Sequence, residues 1–255
     1  MAGYAQFAFY YDALTQNAAY ETRCERISSL LAAHGAGEGI LLDLACGTGT
    51  LSLMLASRGW DVIGVDASEE MLSLAQEKKF ACGADVIFLN QRMEELDLFG
   101  TIDAAVCTLD SLNHLESTEA LKETLRRVAL FMNDGGVFVF DVNTPYKHAH
   151  VLSDNTFVYD TDEVFCVWQN AYFAQDHRVD ITLDLFEPAD DDGGYLRSTE
   201  RFSERAWPME SIIAWLEAVR FEVVALLDED GGALRDDSER AVFVCKKHGT
   251  QFQED

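Results

Sequence analysis

Between residues 39 and 143 the chain alternates short apolar runs with helix-patterned segments. "GILLDLA" (39–45), "DVIGVDA" (61–67), "ADVIFLN" (84–90), "IDAAVCT" (102–108) and "GVFVFDVN" (136–143) are short and almost continuously apolar. Runs of that length and texture predict strands buried on both faces. The intervening segments carry helix signals. "TGTLSLMLASRG" stops at Gly59, and the next helix is capped by Ser68 with Glu69 and Glu70 in its first turn. "STEALKETLRRVALFM" (117–132) is capped by Ser117, with a turn at 133–136 behind it. Strand, helix, strand at this spacing requires crossover connections, hence a parallel sheet covered on both faces.

After Pro145 the texture changes. Residues 156–206 hold long strand-like runs without helices, "EVFCVWQNAYF", "RVDITLDLFE" and "YLRSTERFSER", the last two joined by the hairpin signal "PADDDGGY". A helix over 208–220 then starts with Pro208 in its first turn. "FEVVALL" and "RAVFVCKK" follow, and a connection as brief as "DEDGGALRDDSE" makes them antiparallel. Upstream, Leu14, Ala18, Ile27, Leu30 and Leu31 predict one helix over 14–34. The expected fold is α/β: a doubly wound, mostly parallel seven-stranded sheet with a C-terminal antiparallel hairpin and an inserted antiparallel β segment. Residues 1–145 would form an N-terminal lid helix and a Rossmann-like cofactor-binding core. Residues 146–206 would be the insertion, a substrate cover or a dimer face, and 207–255 would complete the core.

A chain of 255 residues, 48% hydrophobic, buries one full core. Its 19 basic against 45 acidic side chains leave a formal charge of -26. That surface repels phosphate backbones and anionic lipid, so nucleic acid and membrane are not expected partners. The acidity is open to three explanations: solubility, attraction of a cationic substrate, or salt adaptation. No apolar run approaches the roughly 20 residues that span a bilayer. Six scattered cysteines without a C-x-x-C pair suit a reducing cytoplasm. His148 and His150 form an H-x-H pair with no evident third ligand, and no metal site is assigned.

The stretch "LLDLACGTGTLSLMLASRGWDVIGVDAS" (41–68) narrows the ligand. A dinucleotide turn needs G-x-G-x-x-G, the third glycine letting helix and strand pack closely. Here Gly47 and Gly49 are followed by Ser52 in the third place, and Asp43 stands four residues before the first glycine. A carboxylate there is badly placed beside a pyrophosphate and well placed near positive charge. The turn therefore asks for a nucleoside ligand with a free ribose, no pyrophosphate and cationic groups. S-adenosylmethionine fits that description.

These residues resemble the first motif of the class I S-adenosylmethionine-dependent methyltransferases, a strand ending in an acid and then G-x-G. The resemblance covers nearly all of 35–145, and "FEVVALL…RAVFVCKK" resembles the family's terminal hairpin. "YDALT", "LDSLNHL" and "FDVNTP" resemble a bacterial subgroup acting on small molecules. The resemblance implies that Asp43 organises the loop near the methionine part of the cofactor, with Ala45 beside it. Gly47 and Gly49 would let the backbone approach, Asp66 would accept from both ribose hydroxyls, and Ala67 and Met71 would pack on the adenine. Cys107, at the end of the fourth strand, completes the cofactor side. The family commonly offers an Asp to the adenine amino group after strand three. Arg92 stands there in this chain, so Gln91 or the backbone at Met93 would take that role.

Methyl transfer is an in-line displacement with a neutral leaving group, so much of the acceleration can come from orientation and exclusion of water. Ligands of open parallel sheets sit at the carboxyl ends of the strands. There the loop after strand four offers Asp110 as a polar group beside the methyl and His114 as a base, or as a merely structural histidine. Asn143 and Tyr146 follow strand five. Tyr10 and Tyr11, in the aromatic stretch "YAQFAFYYDAL", belong to a lid or to a helix packed on the core. Trp168, Tyr172 and Arg205 of the insertion would stand near the substrate mouth. The expected activity is methyl transfer to a small-molecule N or O acceptor. A non-catalytic S-adenosylmethionine-binding or regulatory protein of the same fold is the alternative. A nicotinamide oxidoreductase is disfavoured by Ser52 and the lack of Tyr-x-x-x-Lys.

Overall fold

A computed structural model describes residues 7–15, 18–189 and 193–249. The five apolar runs are strands β1 (Ile40–Leu44), β2 (Asp61–Asp66), β3 (Val86–Asn90), β4 (Ile102–Cys107) and β5 (Met132–Asn143). The insertion supplies β6 (Thr156–Asp160), β7 (Phe165–Phe173), β8 (Arg178–Pro188) and β9 (Tyr195–Arg205). The tail adds β10 (Phe221–Asp228) and β11 (Arg240–Lys247). The main sheet has the order β10-β11-β5-β4-β1-β2-β3, and β11 runs antiparallel to both its neighbours. The insertion is a separate antiparallel sheet, β6-β7-β8-β9.

Strand parity sorts the core. Phe138 and Phe140 face one side, with Phe243, Leu125 and Leu216, while Val137 and Val139 face the other, with Ile27, Leu31 and Leu55. Phe140 and Phe243 are register partners whose rings stack at 4.7 Å, the cross-strand pairing that stabilises a sheet. The helices covering these faces are α2 (Tyr20–Ala33), α3 (Thr50–Ala56), α4 (Glu69–Cys82), α5 (Thr118–Phe131) and α7 (Met209–Ala218). Ser68 and Ser117 cap α4 and α5, accepting from the backbone N–H of Met71 and Ala120.

A third apolar cluster joins the insertion to the core. Val179, Ile181, Leu183 and Leu185, alternate residues of β8, pack with Phe7 and Ala8 of α1 (Phe7–Leu14) and with Met71. The apolar side of the inserted sheet is therefore covered within the chain.

Four local expectations need correction. The helix expected over 14–34 starts only at Tyr20: Leu14 ends α1 instead, and Ala19, just ahead of α2, is left-handed (φ 46°). The turn at 133–136 belongs to β5, because Met132 pairs with Ile102 ahead of an irregularity in the register. Pro208 precedes the first turn of α7 as its cap residue. Strand β6, "TFVYD", lies ahead of the three runs expected in the insertion, and its residues alternate between exposed and half-buried. Residues 190–192 of the hairpin signal lie outside the described residues, but Pro188 and Tyr195 pair across it. A further short helix, α6 (Pro145–Lys147), leads into a single π turn at 148–152.

Candidate active site

A cavity of about 530 Å³ opens at the carboxyl ends of β1, β2 and β4. The glycine turn forms its floor, α1 and the inserted sheet its roof, and the loop after β4 its far wall.

The floor begins where β1 gives out. Ala45, Gly47 and Gly49 all have positive φ (60°, 54° and 73°), so the chain reverses in three steps. The turn is stitched to β2 by Cys46 N–H donating to the Val65 carbonyl, 3.0 Å, and Gly47 N–H donating to Asp66 Oδ2, 2.8 Å. Asp66 Oδ1 accepts from Ser68 N–H at 2.9 Å. Each carboxylate oxygen has thus spent one acceptor position on backbone and keeps another for a guest. Burial raises the Asp66 carboxyl above its ordinary range, against the pull of those amides.

The two glycines differ in purpose. A Cβ on Gly47 would meet no atom of the described residues within 4 Å, at the cavity floor. A Cβ on Gly49 would lie 2.8 Å from the Phe88 ring and 2.9 Å from Ala75 Cβ. Gly49 therefore serves the packing of the turn on β3 and α4, whereas Gly47 leaves room for a ligand.

Asp43 lies beneath the turn and is nearly inaccessible. Its Oδ2 accepts from the Ser52 hydroxyl at 2.5 Å. Burial, opposed by Ser52 and aided by the nearby Asp66 charge, pushes the Asp43 carboxyl up to about 7. Such a group gains from a cationic neighbour.

The far wall starts with Leu109 and Asp110, two successive left-handed residues (φ 57° and 54°). Their amides donate to the two oxygens of Asp141 on β5, at 3.1 and 2.8 Å, which holds a conformation that side chains otherwise avoid. Arg240 joins this knot, 2.6 Å from Asp110 and in direct contact with Asp141, and Arg23 of α2 reaches Asp141 at 3.1 Å. Burial alone would lower the Arg240 pKa, but Asp141, Asp110 and Glu229 outweigh it and raise the pKa. His114 ends the short helical turn Ser111–His114. Its ring packs on Phe202 and its Nε2 is 3.8 Å from Glu204 Oε1.

Of the residues expected around the cofactor, Ala45, Gly47, Asp66, Ala67, Met71 and Met93 line the cavity. Asp43 and Gly49 lie below its floor. Gln91 closes both ends of its side-chain amide on the Asp97 backbone, at 3.0 and 2.9 Å, and Cys107 is fully buried in the core. Asp110 and His114 line the cavity, as do Tyr11 and Trp168. Tyr10 instead donates to Glu187 at 2.7 Å, Asn143 is buried against Asn113 and Glu204, and Arg205 pairs with Asp176 at 2.8 Å. The sequence reading missed Glu204, Arg240, Arg23 and the Arg92–Glu94 pair. Glu204 was one residue away: the expectation fell on Arg205, and neighbours on a strand face opposite ways.

Fold and site together define a class I methyltransferase, a doubly wound sheet with an acid-then-glycine turn at β1 and an acid at the tip of β2. Comparison with known proteins bears this out. Residues 41–136 match the methyltransferase domain family. A methyltransferase-family protein of Geobacillus sp. (strain WCH70) is 33% identical over 246 residues, covering 96% of this chain and 99% of the relative. The crystal structure of an S-adenosylmethionine-dependent methyltransferase from Clostridium acetobutylicum superposes with a TM-score of 0.86 at 31% identity, over 96% of this chain and 99% of that one. The sugar N-methyltransferase KedS8 from Streptoalloteichus, 23% identical, shares the fold with a TM-score of 0.78 over 98% of this chain and 95% of its own. The chain belongs to the class I S-adenosylmethionine-dependent methyltransferases, and S-adenosylmethionine is its cofactor. Among the described residues no helix is long and apolar enough to cross a membrane.

Proposed function

We propose that this methyltransferase acts on a nitrogen or oxygen of a small molecule held in the 530 Å³ cavity, by in-line transfer. One observation carries the reading: the same cavity has Gly47 and Asp66 on one wall and Asp110 and His114 on the other, beneath a roof supplied by the insertion. When bound, S-adenosylmethionine supplies an electrophilic methyl on a sulfonium. The residues present fit it, since Gly47 leaves open space and Asp66 keeps an acceptor position on each oxygen for the ribose hydroxyls.

Ala45, Ala67, Met71 and Met93 complete the cofactor side, with Asp43 acting through its field and Gly49 through packing. Asp110 and His114 face the acceptor, and His114 takes its proton. Tyr11 and Trp168 help to exclude water, which strengthens each electrostatic contact inside. The division at 145 and 206 is then functional: the core grips the cofactor, and the insertion covers the acceptor. With its apolar side spent on α1, the inserted sheet acts as cover rather than dimer face. KedS8 and its like, named for sugar N-methylation, support a small acceptor, and the charge of -26 argues against nucleic acid. A cytoplasmic setting suits six free cysteines.

Calorimetric titration with S-adenosylmethionine, S-adenosylhomocysteine and NADH tests the site. The first two should bind, and Asp66→Ala should weaken both at least about tenfold, the worth of a charge-assisted pair. Turnover should then appear in a screen of amines and hydroxyl compounds. Binding of NADH alone, or wild-type affinity in the variant, would sink the assignment.

A further inference from the structure

We propose that the methyl acceptor is an amine captured as its ammonium ion, in a socket made by Asp110, His114 and Glu204. This rests on the reading above that the cavity holds S-adenosylmethionine beside a small acceptor.

The three residues reach the site from different parts of the fold, Asp110 and His114 from the loop after β4 and Glu204 from β9 of the insertion. One oxygen or nitrogen atom from each lies within 4.8 Å of the other two, and His114 Nε2 stands 3.8 Å from Glu204 Oε1. At 3.8 Å that pair is not hydrogen-bonded to itself, yet one small donor group can reach both. An ammonium nitrogen with tetrahedral N–H directions and donor–acceptor distances of about 2.8 Å suits acceptors about 4.6 Å apart. A metal ion bonded at about 2.1 Å suits ligands about 3.4 Å apart. The 4.8 Å bound admits the first spacing, and the 3.8 Å between His114 and Glu204 lies between the two. Charge makes the choice: Arg240, 2.6 Å from Asp110, offsets one of the two carboxylates, which leaves the socket a net charge that a single positive charge balances.

Glu204 is built to be an anion. Its Oε2 accepts from Asn143 Nδ2 at 3.1 Å. Behind it sits His148, fully buried, whose Nδ1 is 2.7 Å from the His177 carbonyl and must therefore carry the proton there. That bond turns the other ring nitrogen, Nε2, toward Glu204 Oε2 at 3.6 Å, with no hydrogen-bond partner among the described residues. The rear oxygen is thus fixed and the front oxygen, Oε1, is presented beside His114. Burial pushes the Glu204 carboxyl up, but His148, His114 and Asn143 outweigh it and hold it below the usual carboxylate range. A carboxylate charged at that depth gains most from a guest that brings both charge and donors. A hydroxyl acceptor brings one donor and no charge, and so serves the anionic Glu204 less well.

The chemistry balances. The bound ammonium gives one proton to His114 Nε2. Its freed lone pair forms the nitrogen–carbon bond while the carbon–sulfur bond breaks, its electrons staying on sulfur. The product is a secondary ammonium of unchanged charge.

The test uses the full chain saturated with S-adenosylhomocysteine. Methylamine, benzylamine and glucosamine are titrated against benzyl alcohol, glucose and tetramethylammonium, the last a cation without N–H donors. Heat and the His114 imidazole resonance are read together. The amines should bind at least about tenfold more tightly than the alcohols and tetramethylammonium, and should shift the His114 signal. Glu204→Gln should cost the amines about tenfold while S-adenosylhomocysteine affinity is kept. Asp110→Asn, at the more accessible edge of the socket, repeats the test should the buried Glu204 variant fail to fold. No response to any amine at about 100 mM, far above an ordinary headgroup affinity, overturns the socket. So do equal binding of alcohols or tetramethylammonium, unchanged affinity in both variants, and tight Mn²⁺ or Zn²⁺ binding that depends on Glu204. Failure of S-adenosylhomocysteine itself to bind the wild type overturns the cofactor reading, and the socket with it.

Discussion

Replacing each glycine of the turn by alanine separates ligand approach from packing. Both positions are left-handed, at φ 54° for Gly47 and 73° for Gly49, and an L residue there costs roughly 1–2 kcal/mol, partly offset by the lower entropy of the unfolded chain. For Gly47→Ala the account ends there, since the new methyl meets none of the described residues within 4 Å. For Gly49→Ala the methyl lands 2.8 Å from the Phe88 ring and 2.9 Å from Ala75 Cβ. Overpacking of that kind adds roughly 1–3 kcal/mol, for a total of about 2–5. Without ligand, Gly47→Ala should lower Tm by about 2–4 °C and Gly49→Ala by about 5–15 °C. Binding should follow the opposite order. S-adenosylhomocysteine should lose most of its affinity for Gly47→Ala, whose methyl occupies the cavity floor, and much less for Gly49→Ala once that variant is held at a temperature where it is folded. Differential scanning calorimetry and isothermal titration read the two halves. A Gly47→Ala protein that melts below Gly49→Ala, or that binds like wild type, would refute the division of labour.

Two further perturbations follow from the floor and roof of the cavity. Asp43 is raised from an ordinary 3.8 to about 7, so its contribution to ligand-free stability is present below about pH 4 and lost as pH rises through about 7, a swing of about 4 kcal/mol. Denaturant titrations of wild type and Asp43→Asn should therefore diverge between about pH 4 and pH 8, and S-adenosylmethionine should bind wild type about tenfold more tightly at pH 8 than at pH 6 but the variant equally at both; parallel curves would remove Asp43 from the account. Lys78 Nζ contacts Asp12 of α1 and donates to the Thr48 and Thr50 hydroxyls at 2.9 Å each. Lys78→Ala should loosen α1 and speed S-adenosylhomocysteine release by up to about fivefold, the ceiling for a half-exposed ion pair, and an unchanged rate in stopped-flow would show that α1 does not gate the site.

The main sheet was legible because its strands are buried on both faces and so advertise themselves as continuous apolar runs, punctuated by caps such as Ser68 and Ser117. The cofactor wall was legible for a related reason: Gly47 and Asp66 sit at strand ends, where spacing along the chain translates directly into position. The acceptor wall was not. Asp110 and His114 were found because they follow β4 at once, but Glu204 depends on the pairing of β9 with β8, and a shift of one residue in parity exchanges it with Arg205. Arg240 heads a strand that otherwise reads as core, and its role comes only from the strand order that sets β11 beside β5. Gln91 misled because a side-chain amide can turn back on its own loop, as it does here onto Asp97.

Ser52 ties the turn to the choice of ligand. In the place of a third glycine it is wholly buried, and its hydroxyl is the side-chain donor to Asp43. Glycine there would leave a buried carboxylate short of a hydrogen bond, at a cost of about 1–3 kcal/mol, and would gain only a closeness of helix and strand that a pyrophosphate site needs. The departure from the dinucleotide pattern and the buried acid are thus one adaptation. Asp43, supported by Ser52, gives the floor a charge that repels a pyrophosphate and favours a sulfonium, while Glu204, supported by Asn143 and faced by His148, gives the roof a charge suited to an ammonium. Two cations must be brought together for methyl transfer to an amine. A cavity that holds a buried carboxylate behind each of them lowers the repulsion that would otherwise keep them apart.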